Sequence, residues 1–171
     1  MTKKLSASAI NKAHKALDNK KKITVLGEYE VNISLTFKDS DIDKVIFDYL
    51  TMFEEAGRNN KIDDEFILGS GALLHTLILG AFTDVPMIPK ERDIAKYLEV
   101  ANVFYNTGIM NAVIEALPER ELKKVSDKLD ANSKKIGQMI GEYALSSAMA
   151  QGENNEDQSQ EHEGIRTDNQ G

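Results

Sequence analysis

Histidine is the side chain best suited to metal binding or proton transfer near neutral pH, and this chain has three, His14, His75 and His162. They fall in a basic segment, an apolar segment and a polar tail. No His-x-x-x-His or Glu-x-x-His pair sets two ligands on one helix face. His75 lies among Leu73, Leu74 and Leu77, where a hydrogen-bonded boundary histidine is the simpler account; catalysis there needs a partner carboxylate that spacing does not supply. Gly69-Ser70-Gly71 has the composition of a phosphate loop but lacks its Lys-Ser/Thr end and the strand before it, so it reads as a close helix contact or a bend. Asp39-Ser40-Asp41-Ile42-Asp43 starts like a calcium loop. Lys44 and Leu50, however, stand where that loop needs Gly and Glu, and helix capping accounts for the aspartates. With no Cys in the chain, disulfides, thiolate metal sites and a Cys nucleophile are excluded, in keeping with a reducing cytosol. The residues therefore point to a non-enzymatic protein with no catalytic residue, metal or cofactor.

What remains is surface for contact. Residues 1–22 carry seven Lys against Asp18, a net of +6, whereas residues 151–171 carry six acidic groups against Arg166, a net of −5. The whole chain is −7. Basic front and acidic tail attract each other, within a chain or between copies, over the about 8–10 Å that cellular salt allows. Lys12, Lys15 and Lys20 to Lys22 could touch nucleic acid or an acidic partner, or simply be solvated; an acidic chain lacks the broad basic face of a non-specific DNA binder. A second contact candidate is a seam at Leu122, Val125, Leu129, Asn132, Ile136, Met139 and Tyr143, spaced alternately three and four apart. That is the period of a coiled coil, with Asn132 in a core position. Packing within its own domain is the default for one such helix. Self-association or partner binding through Leu122, Val125, Leu129, Ile136 and Met139 is the alternative.

These residues must be positioned by a mostly helical body. Tyr29, Val31, Ile33, Leu35 and Phe37 alternate with polar residues, placing every apolar group on one face of a strand. Ile23 to Leu26 reads as its partner across Gly27-Glu28, a hairpin turn in which Gly accepts positive φ. A lone hairpin is marginal in water, so it must pack on helices or extend a partner's sheet. Before it, Ser6 to Leu17 reads as a short helix with Ala9, Ile10, Ala13 and Leu17 on one side. After it come helices from an Asp39 or Ser40 cap to Gly57, from Asp63 to about Phe82, over Lys90–Asn106 and Ile109–Leu117, and beyond Pro118. The expected core includes Tyr29, Val31, Ile33, Tyr49 and Phe53. The uncharged run Phe66 to Thr83 is 18 residues with three Gly, short of the about 20 apolar residues of a bilayer span. No secretory signal follows Lys3 and Lys4. Gln151 to Gly171 contains one aliphatic residue, Ile165, too little burial to offset the entropy of ordering. The expectation is thus an α+β, mostly α, fold. It has a basic leading helix (1–22), a β-hairpin plus helical bundle (23–150) and a disordered acidic tail (151–171).

Lys22-Ile-Thr-Val-Leu-Gly-Glu-Tyr-Glu-Val-Asn-Ile-Ser-Leu-Thr-Phe37 and Asp43-Lys-Val-Ile-Phe-Asp-Tyr-Leu50, with the helical remainder, resemble the tail assembly chaperones of long-tailed bacteriophages of Gram-positive hosts. The resemblance covers about residues 20–150 and leaves the basic segment before Lys20 unplaced. It implies a protein of the host cytoplasm that binds the tape measure protein and assists tail-tube subunits. Apart from the resemblance, the seam favours self-association, the short apolar run argues against a membrane partner, and the acidic balance argues against nucleic acid. Two other classes stay open: a virion structural or connector protein whose hairpin extends a partner's sheet, and a small nucleic-acid-binding regulator using residues 3–22.

Overall fold

The computed structural model describes residues 4–59 and 62–132, with 134, 137, 138, 141, 142 and 145 beyond them. Their order is α1 (Ala7–Lys15), β1 (Lys20–Val25), β2 (Tyr29–Ser34), α2 (Asp39–Arg58), α3 (Asp64–Phe82), α4 (Ile94–Asn106) and α5 (Ile109–Ala116). A last helix, α6, covers residues 119–132. The expected α+β class holds: one antiparallel hairpin and six helices. The tail 151–171, with His162, and the seam residues Ile136, Met139 and Tyr143 lie outside the described residues.

The hairpin differs from expectation in its first strand. Lys20, Lys21 and Lys22 open β1, pairing with Ser34, Ile33 and Asn32, so a boundary at residue 22 cuts through the strand and α1 ends earlier, at Lys15. Lysine is a weak strand former, but here its backbone supplies the ladder while its side chain stays exposed. The turn has three residues, Leu26 to Glu28, with Leu26 (φ 51) and Gly27 (φ 81) both left-handed. Val31 and Ile33 are buried as expected, but Tyr29 is 58% exposed. It sits beside the turn, where no helix covers it, and is not core. β2 ends at Ser34, one residue before the Leu35 N–H donates to the Asn19 carbonyl. Phe37 then turns inward, stacked on Phe82 with ring centroids 3.6 Å apart. The far edge of β2 is covered by the chain leaving α3. Ile33 bridges Thr83, and Asp84 accepts from the Asn32 backbone at 2.7 Å and its amide at 2.6 Å.

Helix α2 begins at Asp39 with Lys38 as its cap residue and no side-chain cap bond, so Asp39 and Asp41 serve in the first turn, where carboxylates offset the helix dipole. Its buried stripe, Ile42, Val45, Ile46, Tyr49, Leu50, Met52, Phe53 and Ala56, follows helical period. Asp63 caps α3, accepting from Phe66 N at 2.7 Å. Helix α4 starts at Ile94, four residues later than Lys90, because Asp93 caps it by accepting from Lys96 N. Glu121 locks α6 in place. Buried at 8% exposure, its carboxylate accepts from Phe37 N at 2.8 Å and from Lys124 Nζ at 2.7 Å. Lys128 adds an ion pair to Asp43 on α2.

Candidate functional site

The sequence candidates resolve mainly into structural roles. His75 Nδ1 shares a 2.7 Å hydrogen bond with the Tyr105 hydroxyl, joining α3 to α4, and burial pushes its imidazole pKa below the ordinary value. No carboxylate bonds to His75 among the described contacts. Gly69 is the close helix contact: a Cβ there would sit 3.0 Å from Leu98 Cδ2 on α4. Ser70 bonds back to the Ile67 carbonyl. Among the described residues no group of three His, Asp or Glu side chains could hold a metal. Of the seam, Val125 is 1% exposed and packs inside the domain, while Leu122 and Leu129 are half-buried against the same core. This is the intramolecular packing that one amphipathic helix adopts by default.

A different feature emerges where the last turn of α2, the start of α3 and the start of α4 converge. They enclose an open groove of about 710 Å³. Ala56, Phe66, Ile94, Ala95 and Leu98 supply apolar wall, and Glu55, Asp63, Glu91 and Asp93 supply carboxylates around it. The geometry follows from local rules. Asp63 and Asp93 are present as N-caps, so two helix starts place their acidic caps at one mouth. Gly69 removes the side chain that would hold α4 off α3, and this brings Leu98 against the groove wall. Phe66 is fixed from behind by Phe53, edge to face at 4.8 Å between centroids.

The four carboxylates at the groove outnumber its cations, Arg92 in the lining and Lys96 beside it. Lys96 lies within 3.4 Å of Glu91 and 3.6 Å of Asp93, leaving the other two carboxylates at the mouth. Arg92 lines the groove but is turned toward Asp48, 2.7 Å from its Oδ1, and lies 5.4 Å above the Phe47 ring. On its other side Arg92 borders a smaller cavity of about 370 Å³ against Val45, Leu77, Ile88 and Tyr97. A groove with an apolar wall and an acidic rim is suited to a helix that is apolar on one face and basic beside it. Reading the sequence missed this site because its residues come from three elements and look ordinary in each. In sequence Glu91-Arg92-Asp93 reads as part of a helix, and Ala95 has no apolar period to mark it. The available signal was the pair of Asp caps, Asp63 and Asp93.

Fold and groove together define a helix-rich α+β domain with an open, acid-rimmed groove between α2, α3 and α4. The chain belongs to the YomO family, whose model matches residues 7–163, a family of phage origin. No curated protein and no solved structure matches it. No helix among the described residues is long and apolar enough to cross a membrane.

Proposed function

We propose that this protein is a non-enzymatic tail assembly chaperone of a phage, acting in the host cytoplasm. It seats an amphipathic helix of the tape measure protein in the groove between α2, α3 and α4 and keeps that client soluble while tail-tube subunits assemble. The observation that carries the reading is the groove itself, apolar where a client helix would bury leucines and acidic where its lysines would lie. The family's phage origin agrees with it. The sequence resemblance over residues 20–150 supplies the client. Co-expression with the tail genes of the same phage tests it. The tape measure protein is expected to co-purify with the wild-type chain and to be lost with Ala95→Arg, which places a long cation in the groove at an exposed position. Recovery of an unrelated small molecule or nucleic acid instead would overturn the reading. The exposed lysines of α1 and β1 favour a nucleic-acid regulator as second reading, and it predicts a steep fall of DNA affinity with salt.

A further inference from the structure

Helix α1 buries none of its residues, although its sequence is patterned for burial. Ala9, Ile10 and Ala13 form one stripe, extended by Leu5 and Leu17 at its ends; Leu5 is 76% exposed and Ile10 53%. Lys12 and Lys15 lie beside and opposite that stripe. Ser6 caps its start, accepting from Ala9 N, and Lys12, His14 and Lys15 fill its last turn, favourable against the helix dipole. This is a preformed helix with an apolar face and basic flank, and the groove has the complementary character.

Its own groove is out of reach. Asp18 is tied to Lys38 at the start of α2, and Asn19 to Leu35. Lys38 and Glu55 are seventeen residues apart, about 25 Å along the helix at about 1.5 Å per residue. From Lys15 to Asp18 the chain spans at most about 11 Å, and α1 itself is about 13 Å long. Even swung fully over, α1 would bring its tip to the groove and could not lay its face there. A second copy has no such tether.

We infer that α1 of one copy docks in the α2–α3–α4 groove of another. The apolar stripe of α1 then meets Phe66, Ala95 and Leu98, and Lys12 beside that stripe meets Glu55 and Asp63. The contact joins two different patches of one chain, so every copy offers both halves. A client helix and α1 of a second copy exclude each other from this one groove, so a client must displace α1; Ile10→Glu separates the two readings, because it damages α1 and leaves the groove intact.

Sedimentation velocity of the full chain over a concentration series tests this. The wild type is expected to associate, and to do so at least about tenfold more weakly when salt rises from about 50 mM to about 500 mM. Ile10→Glu and Ala95→Arg, both at exposed positions, are each expected to remain monomeric with wild-type circular dichroism. An equimolar mixture of the two is expected to form a dimer, since one supplies an intact groove and the other an intact α1. A monomeric wild type, variants that associate as the wild type does, or a mixture that stays monomeric would each overturn the proposal. Tape measure protein retained by Ile10→Glu bears on the client reading alone and leaves this result to be read separately.

Discussion

Removing the Glu121 carboxylate isolates the contact that fixes α6 to the rest of the domain. Phe37 N donates to it at 2.8 Å in the core, and its side chain is 10% exposed, so solvent screens the bond little. A hydrogen bond to a charged group contributes roughly 1.5–3 kcal/mol, and a stranded buried N–H costs about 1–3 kcal/mol. The Lys124 pair is more exposed and adds less than about 1 kcal/mol. Glu121→Ala should therefore cost about 2 kcal/mol, roughly 4–8 °C in Tm for a chain of this size. Glu121→Gln keeps an acceptor for Phe37 N and should cost about 1 kcal/mol or less. Burial pushes the Glu121 pKa up, but the bonds from Lys124 and Phe37 outweigh it and hold the carboxyl below its ordinary value. A depressed carboxylate stabilises above its unfolded pKa of 4.5, and the contribution disappears as pH falls through the lower folded value. Urea unfolding followed by far-UV circular dichroism, at neutral pH and again below the folded pKa, reads both effects. The alanine variant should lose stability at neutral pH and recover part of that deficit in acid, where the wild type loses the charge-assisted share while the stranded Phe37 N–H still costs the variant. A difference under about 0.5 kcal/mol at neutral pH would refute the pin.

Other perturbations follow from single contacts. Phe82→Ala removes the ring stacked on Phe37 and should destabilise by about 3–5 kcal/mol in urea unfolding. Leu26 is 55% exposed with a left-handed backbone, so Leu26→Asn should stabilise by roughly 0.5–1 kcal/mol, since Asn tolerates that conformation at a hairpin turn. His75, depressed by burial, should titrate below 6.5 by NMR. Its contribution to stability is present above that pH and is lost as pH falls toward the folded value. Tyr105→Phe removes its hydroxyl partner and should cost about 1 kcal/mol.

The helical body and hairpin were legible because period carries them: two residues for Val31 and Ile33, 3.6 for the α2 stripe from Ile42 to Ala56. Boundaries failed where the backbone overrode side-chain preference. Lys20 to Lys22 joined β1 through ladder bonds that composition cannot register. Asp93, not Lys90, opens α4, because its carboxylate reaches Lys96 N. Tyr29 fits the alternation of β2 yet stays exposed, since alternation gives a face but not what covers it. Glu121, one of the most consequential polar residues, looks like any helix-surface Glu until Phe37 is folded against it. The groove was invisible for the same reason, as its wall comes from residues 55 to 98 and only the packed fold brings them together.

NMR titration of the labelled chain with helical segments of the tape measure protein from the same phage tests the central claim most directly. Shift changes are predicted at Ala56, Phe66, Ala95 and Leu98, and at α1 as the client displaces it, with the rest of the domain little changed. Changes confined to α1 and β1, or saturation by Ala95→Arg at wild-type affinity, would contradict it.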